Sequence, residues 1–275
     1  MAISIRNSIK NIFNDKDFTA KYSILVVLSF ICGLFVFATL AHNKPLIIPT
    51  AILATLAGCT TVGYDITYLK ALMEKEDAKL PEWDKFFEYF NTGLKFLFAL
   101  LLLAASIMGA VLLLTFLGKI LLGNIKIIMI IFFTLLNLLA LGFEIYLLFC
   151  GIGFLYVFIE SDYSIISVFN LKKIYNYFST NYFIALFAMV TIAGINGVLA
   201  TLTTIRIKYA LFYIIPLLIA PFFRLITNNL IAQAHIADKN NESGSVWKLI
   251  LYIATASTLI TSILLLGTIG KYLIH

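Results

Sequence analysis

The chain has 275 residues, of which 61% are hydrophobic and only 12% are charged, and its formal net charge is +6 at pH 7. Soluble domains are about 25% charged, so this composition excludes an ordinary soluble protein and indicates an integral membrane protein surrounded by a lipid bilayer. The basic residues are scattered singly among the segments that flank apolar runs, so we expect no nucleic-acid partner. We predict one all-α membrane domain.

The first part of the chain predicts a surface helix followed by two membrane spans. Residues 1–21 place isoleucines at near-helical spacing among basic side chains, a pattern typical of a helix that lies on a membrane surface. The apolar runs 22–41 and 46–69 are each long enough to cross the bilayer. A short turn containing Pro45 joins them, since proline is well tolerated at the entry of a helix.

The middle of the chain predicts two further spans. Pro81 opens an amphipathic helix over residues 83–90, which leads into a third span over 94–117. The fourth span lies within 127–159, a run with one charged side chain, Glu144, near its midpoint. A helix of that length extends about 50 Å against a hydrocarbon core of about 30 Å, so we expect it to tilt or to project beyond one face.

A second amphipathic stretch, residues 171–178, lies 88 residues after the first. The same interval separates Lys85 from Lys173 and Thr92 from Thr180. We interpret this match as a parallel internal repeat whose unit is a surface helix, an outgoing span, a short turn and a returning span. Parallel repeats occur in transporters, but stacked hairpins of this kind also suit a purely structural bundle.

Three such units, the first of them degenerate, would make residues 1–236 a membrane domain of three helix hairpins with six spans. The fifth and sixth spans would be 182–202 and 210–235. Residues 237–275 would add a polar loop and a further apolar run, 247–273, to the same domain. We therefore predict a polytopic helix bundle of six or seven spans with cytoplasmic amphipathic helices.

The distribution of lysine and arginine predicts the orientation of this bundle. Thirteen of these residues lie in the N-terminal segment and in the segments around Lys79, Lys172 and Lys239, whereas six lie on the opposite side. Because basic residues are retained on the cytoplasmic side, we expect a cytoplasmic N-terminus. Trp83 and Trp247 fall on the same side, where aromatic rings sit well among lipid headgroups.

Three charged residues lie away from the ends of predicted spans, namely Asp65, Glu144 and Arg224 on the second, fourth and sixth spans. Glu144 precedes Glu160 by sixteen residues. Arg224 precedes Asp238 by fourteen, so the depths of Glu144 and Arg224 differ by only about 3 Å. We predict that these two side chains approach each other, either as a gate or ligand-binding pair or as an ion pair that fixes helix order.

Neighbouring polar residues extend this site along two helix faces. The two rows are Arg224, Asn228 and His235, and Thr61, Asp65 and Tyr68. Both rows could line a wet crevice, or could be ordinary interhelical hydrogen-bonding residues. Pro216 and Pro221 could act as a hinge in the sixth span or be a harmless kink. The candidate intramembrane polar site is therefore Asp65, Glu144, Arg224, Asn228 and His235.

No residue pattern predicts catalysis, a metal site or a cofactor. The three cysteines lie inside apolar runs without CxxC spacing, and the three histidines are spread over both sides of the membrane. Gly151-Ile152-Gly153 lacks a preceding strand and the rest of a nucleotide-binding fingerprint. We expect a protein that is not an enzyme, with an intramembrane hydrolase using Asp65 or Glu144 as the residual alternative.

Several short phrases resemble a known family. They are Gly63-Tyr64-Asp65 before Lys70, Leu80-Pro81-Glu82-Trp83-Asp84, Gly93-Leu94-Lys95, Phe169-Asn170-Leu171, and Leu230 to His235. Over roughly residues 13–236 the chain is similar to the bacterial and archaeal membrane family called domain of unknown function 4013. Near the end, the glycine usual in that family is replaced by Ala232 or a neighbour. The resemblance implies a multi-pass protein in the cell membrane of a bacterium or archaeon and brings no established activity.

Two functions fit these features. The first is a permease-like or ligand-handling protein that moves or sequesters a small or amphiphilic molecule through the polar interior around Glu144 and Arg224. The alternative is a membrane interaction protein, such as an accessory subunit or a protector against a membrane-active peptide, that recognises another membrane protein through its aromatic cytoplasmic belt. A wet cavity reaching Glu144 would favour the first, and a dry core with an exposed apolar groove would favour the second.

Overall fold

The computed structural model describes residues 3–40, 44–122, 126–205, 211–242 and 244–258. Within these ranges the chain is mostly helical and forms no strand, which confirms the all-α prediction. The helices are α1 (Ile5–Phe13), α2 (Phe18–Leu40), α3 (Lys44–Glu74), α4 (Phe86–Leu122), α5 (Lys126–Phe149), α6 (Gly151–Glu160), α7 (Leu171–Tyr175), α8 (Thr180–Ile205), α9 (Leu211–Lys239) and α10 (Val246–Thr258). Short 3-10 turns cover Trp83–Lys85 and Ile165–Phe169.

Five helices of the described chain are long and apolar enough to cross a membrane, namely α2, α3, α4, α8 and α9. They correspond to the first, second, third, fifth and sixth predicted spans, and they support a multi-pass membrane protein. Helix α3 has 31 residues and extends beyond both ends of the predicted span 46–69. Helix α10 is described only as far as Thr258, so most of the predicted seventh run, 247–273, lies outside the described residues.

Two helices, α5 and α6, occupy the run over which one helix was expected. Cys150 separates them with a ψ angle of −8°, and two glycines follow within three residues. Glycine weakens a helix interior because it loses more backbone entropy on folding than other residues. The helical hydrogen bonds nevertheless continue through the junction, since the Phe154 N–H donates to the Cys150 carbonyl at 2.9 Å. The interruption is therefore local.

The two predicted amphipathic helices differ from each other in the structure. In the first, residues 86–90 are simply the beginning of the long helix α4. In the second, α7 ends at Tyr175, and a new helix, α8, begins after Ser179, whose hydroxyl accepts the Tyr182 N–H at 2.9 Å as a cap. Within the first stretch, Phe87 is exposed whereas Tyr89 is buried. The 88-residue repeat stays a prediction.

The described chain forms two compact units, Met1–Leu94 with Phe178–His275, and Lys95–Tyr177. The predicted division of residues 1–236 into three hairpins stays a prediction. In the first unit, α2 packs against α3 and α8 packs against α9 as two hairpins. Helix α9 also contacts α1, α2 and α3, so it is the central helix of this unit.

The connections of the first unit converge on one end, which we call the charged end. Three hydrogen bonds define it: Asn11 Nδ2 to the Glu76 carbonyl at 3.1 Å, Asn181 Nδ2 to Asp238 Oδ1 at 2.8 Å, and Lys248 Nζ to the Ile3 carbonyl at 3.1 Å. They bring together the N-terminal segment, the loop after α3, the start of α8 and the link from α9 to α10. These segments are the ones expected on a common side of the membrane from the alternation of spans.

The N-terminal helix α1 packs against α9, although its sequence pattern predicts a helix on the membrane surface. The backbone N–H of Ser4 donates to Gln233 Oε1 at 2.8 Å, and Gln233 Nε2 donates to the Ser8 hydroxyl at 3.1 Å. Ile12 is fully buried. The apolar stripe of α1 is therefore used at least in part for contacts within the protein, because a buried glutamine on α9 supplies the hydrogen bonds that the start of α1 needs.

The start of α2 is joined to the Leu80-Pro81-Glu82-Trp83 phrase by a buried ion pair. Lys21 Nζ lies 3.2 Å from Asp15 Oδ2 and 2.6 Å from Glu82 Oε1. Leu80 completes the arrangement, because its N–H donates to Asp15 at 2.9 Å and its carbonyl accepts from Lys21 at 2.8 Å. The Trp83 indole N–H donates to the Lys21 carbonyl at 3.2 Å. Each polar group of this cluster thus has a partner, as burial requires.

Helices α3 and α4 cross where two glycines face each other. A Cβ on Gly63 would overlap the Tyr89 carbonyl oxygen, and a Cβ on Gly93 would overlap the carbonyl oxygen of Cys59. Only glycine permits this approach of two helix backbones, as at other close helix crossings in membranes. The glycines of two family-like phrases therefore set one packing contact.

The second unit contains the rest of α4 with α5, α6 and α7. Helix α6 packs on α7 and on the 3-10 turn that precedes it. The Glu160 carboxylate at the end of α6 accepts from the Tyr177 hydroxyl and lies 3.1 Å from Lys173 Nζ. Burial and the adjacent Glu160 carboxylate raise the pKa of Tyr177, so its hydroxyl remains a proton donor.

Candidate functional site

The two polar rows predicted from the sequence meet where α3 packs against α9. We call this contact the α3–α9 seam and define it by Asp65, Tyr68, Arg224, Asn228 and Asn229. The two helices run parallel there, because Asp65 contacts Arg224 and Tyr68, further along α3, contacts Asn229, further along α9. Residues three or four apart share a helix face, which is why each row presents its polar groups to the other helix.

The charged pair of the seam is Asp65 and Arg224. Arg224 Nε lies 3.6 Å from Asp65 Oδ2, and the two side chains are 37% and 16% exposed, respectively. A direct N–H···O bond measures 2.7–3.2 Å, so this ion pair is not closed by a hydrogen bond. Arg224 Nε, Arg224 Nη2 and Asp65 Oδ1 are all buried atoms without a hydrogen-bond partner.

The neighbouring amides make the seam more complete towards the charged end. Asn229 is buried, and its Nδ2 donates to the Tyr68 hydroxyl at 2.9 Å and to the Leu225 carbonyl at 3.0 Å. Asn228 Nδ2 donates to the Asp65 backbone carbonyl at 3.4 Å, a long bond. The open hydrogen-bonding capacity of the seam is therefore concentrated at the charged pair.

Helix α2 forms a third wall beside the pair. The Tyr22 hydroxyl donates to the Leu218 carbonyl of α9, and the Tyr22 ring packs edge-on against Phe222. Both Tyr22 and Cys32 lie within the electrostatic range of the Arg224 guanidinium. The pair is thus bordered by an aromatic side chain as well as by polar groups.

The position of the pair along the helices follows from contacts between α2 and α3. Cys32 Sγ contacts the Ala54 carbonyl at 3.6 Å, and counting equally along both antiparallel helices from there puts Asp65 level with Lys21. Trp83 supports this register, since it bonds to Lys21 and stacks on Tyr64 with ring centroids 4.3 Å apart. The pair therefore lies close to the charged end of the first unit.

The structure brings together three of the five predicted site residues, Asp65, Arg224 and Asn228. His235 is half-buried nearly two turns beyond Asn228 on α9. The Glu144 side chain lies outside the described residues, although its backbone belongs to α5, so the predicted approach of Glu144 to Arg224 stays a prediction. The partner that the structure gives to Arg224 is Asp65.

Sequence reasoning missed Asn229 as a seam residue. Its position next to Asn228 was the available signal, but the predicted row followed the helix face that carries Arg224 and Asn228, and Asn229 lies beside that face. Gln233, which holds α1, was missed for the same reason. In the part of the chain that the structure describes, no group of three histidine, cysteine or acidic residues could hold a metal ion.

Comparison with known proteins supports the family and adds no activity. No curated protein and no solved structure matches this chain. A family match covers residues 46–205, a narrower range than the predicted 13–236; it includes Asp65 and ends before Arg224. Since the match covers more than half of the sequence, the chain belongs to the family described as Protein of unknown function (DUF4013).

Proposed function

We propose that this membrane protein binds a small or amphiphilic molecule at the charged pair of the α3–α9 seam and acts without an enzyme active site. The observation that carries the proposal is the set of three buried atoms without hydrogen bonds on Asp65 and Arg224. A buried polar group left unsatisfied costs about 1–3 kcal/mol. A bound molecule with matching polar groups removes this cost.

The permease-like form of the proposal rests on the shape of α9. Pro216 and Pro221 lie inside this helix, shortly before Arg224. Proline removes a backbone hydrogen bond and commonly kinks a helix, so α9 can bend next to the site. A bend there would change the spacing of Asp65 and Arg224, which is the kind of motion that releases a ligand.

The topology proposed for this function keeps the six or seven spans and the parallel repeat predicted from the sequence. The N-terminus and the amphipathic segments would face the cytoplasm of a bacterium or archaeon, with the bundle in the cell membrane. Single cysteines introduced at positions 79 and 172 provide the test. They should not react with an impermeant thiol reagent applied outside intact cells. Reaction from outside would show that the predicted orientation is wrong.

A second candidate function is a membrane interaction protein, favoured by large aromatic side chains left exposed near the charged end. Phe87 and Trp247 are 83% and 81% exposed, respectively. Exposed aromatic residues are common both at headgroup level and at protein interfaces. Pairing with another membrane protein through these side chains would be lost in Phe87→Ala and Trp247→Ala, which leave Asp65 and Arg224 intact.

Native mass spectrometry of the detergent-purified protein tests the first function. The wild-type protein should retain a bound molecule that is lost from Asp65→Asn and Arg224→Gln. The matched control is Thr67→Val, because the Thr67 hydroxyl donates only within its own helix, to Gly63 at 2.9 Å. Equal retention by all four proteins would contradict binding at the pair and would favour the interaction protein.

A further inference from the structure

We infer that the ligand of the α3–α9 seam is zwitterionic, with a cationic N–H donor beside a two-oxygen anion, as in an aminoethyl phosphate headgroup of a membrane lipid. This inference rests on the proposed function and specifies its ligand class. It follows from the charges, the unbonded atoms and the position of Asp65 and Arg224.

The charges of the pair favour a ligand without net charge. Asp65 and Arg224 carry opposite charges 3.6 Å apart, so a purely anionic ligand attracted by Arg224 is repelled by Asp65. A purely cationic ligand is attracted by Asp65 and repelled by Arg224. A zwitterion places each of its charges next to the opposite one and keeps both side chains paired.

The unbonded atoms specify the groups more closely. Nε and Nη2 belong to one edge of the planar Arg224 guanidinium, and both are buried without a partner. Such an edge matches two oxygens of one phosphate or carboxylate group. Asp65 Oδ1 accepts hydrogen bonds only, so it calls for a donor, which an ammonium group supplies and a quaternary trimethylammonium group does not.

The position of the pair favours a lipid over a soluble zwitterion. Asp65 lies level with Lys21, whose ammonium bonds to the polar loop at Leu80 and Glu82 at the charged end. Phosphate and ammonium groups of lipids occupy this interfacial depth. The exposed Phe13 ring packs against Phe222 beside the pair, which gives an acyl chain an apolar surface to follow.

The experiment measures lipid retention in the full-length protein. Protein purified in detergent is offered an equimolar mixture of phosphatidylethanolamine, phosphatidylcholine and phosphatidylglycerol with identical acyl chains, and bound lipid is counted by native mass spectrometry. Wild-type protein and Thr67→Val should retain phosphatidylethanolamine about tenfold over both others, since one hydrogen bond between charged groups corresponds to at least that ratio. Phosphatidylcholine lacks the N–H donor, and phosphatidylglycerol lacks the cation.

Two variants separate the roles of the pair. Asp65→Asn should lose the preference for phosphatidylethanolamine over phosphatidylglycerol, and Arg224→Gln should lose retention of all three lipids. Each variant must elute as a single species of wild-type size. If Arg224→Gln does not fold, the headgroup ratio in the shape-conserving Asp65→Asn still decides the question. An unchanged ratio in that variant overturns the inference.

The remaining outcomes distinguish the inference from the function on which it rests. If the wild-type protein retains more phosphatidylglycerol than phosphatidylethanolamine and Arg224→Gln loses this retention, the zwitterionic ligand is ruled out but a ligand site at the pair remains. Equal retention of every lipid by wild type and both variants, with no displaceable soluble ligand, overturns both. Displacement by glycerophosphoethanolamine at the concentration at which the lipid itself competes supports the zwitterion and assigns it to a soluble source.

Discussion

Lys21 and Asp15 form an ion pair whose side chains are only 4% and 2% exposed, respectively. The pair is held between α1, α2 and the loop at Leu80, and it includes bonds to the backbone as well as between the charges. Buried charges are stable only when their partners are in place. This arrangement gives the family-like Leu-Pro-Glu-Trp phrase a structural role that is separate from the α3–α9 seam.

Removing the Asp15 carboxylate should destabilise the protein. Asp15→Ala leaves the buried Lys21 ammonium with the Leu80 carbonyl and the exposed Glu82 carboxylate, and we expect a loss of about 3 kcal/mol, the lower end for a broken buried pair. The matched control is Asp77→Ala, which breaks the exposed pair of Lys75 and Asp77 and should change stability by about 0–1 kcal/mol. Thermal unfolding in detergent measures both changes, and equal changes would contradict this role.

The same carboxylate should give the stability a pH dependence. Burial alone would raise the pKa of Asp15, but the Asp17 N–H, the Lys21 ammonium and the Leu80 N–H outweigh it and hold the pKa below its ordinary value. A carboxylate whose pKa is lowered by folding stabilises the folded state fully at any pH above its unfolded-state pKa of about 3.9. This stabilisation is lost as the pH falls through the folded-state pKa. The unfolding temperatures of wild type and Asp15→Asn should therefore differ at pH 7 and converge below about pH 4. A difference that is constant down to pH 3 would contradict the pKa direction.

The crossing of α3 and α4 should not tolerate a methyl group. Gly93→Ala pushes a Cβ into the Cys59 carbonyl, a backbone atom that cannot turn aside, and we expect a loss of about 3 kcal/mol or more. Gly109→Ala on the same helix is the control, because a Cβ there meets nothing within 4 Å. It should be neutral or stabilising by up to about 1 kcal/mol from helix propensity. Thermal unfolding that ranks the two variants in the opposite order would rule out the close crossing.

Asp65 and Arg224 should be energetically coupled. In a double-mutant cycle with Asp65→Asn and Arg224→Gln, we expect a coupling of about 1–2 kcal/mol, because each single change leaves the other charge without its partner. The value is kept modest since Arg224 is more than one third exposed. A parallel cycle with Glu144→Gln tests the predicted approach of Glu144 to Arg224. Additive losses in the first cycle would contradict the seam pair.

The sequence predicted the family and five spans that correspond to long apolar helices, because long apolar runs and the Leu80-to-Trp83 phrase are local signals. It also identified Asp65 and Arg224 as interior charges. The sequence did not identify which side chain pairs with Arg224. Counting residues from helix ends compares the depths of two residues but does not give the rotation or the order of the helices. Asp65 was included in the predicted site but was not named as the partner of Arg224, although it lies on the helix that packs against α9.

The sequence also could not show whether α1 and residues 83–90 form separate helices on the membrane surface, for a different reason. An apolar stripe on α1 fits either a bilayer surface or a neighbouring helix, and only the contact of Ser4 with Gln233 decides between them. The same ambiguity affects residues 83–90, where α4 runs on without a break from Phe86. Periodicity predicts that a helix forms and does not say what covers its apolar face.

The central claim is that the unbonded atoms of Asp65 and Arg224 are completed by a bound molecule. A cryo-electron microscopy map of the wild-type protein in nanodiscs of phosphatidylethanolamine tests it most directly. We predict non-protein density within about 3 Å of both Asp65 Oδ1 and Arg224 Nη2, continuous with an acyl chain beside Phe222. Closure of the two side chains into a direct bidentate pair, with no density between α2, α3 and α9, would contradict the account.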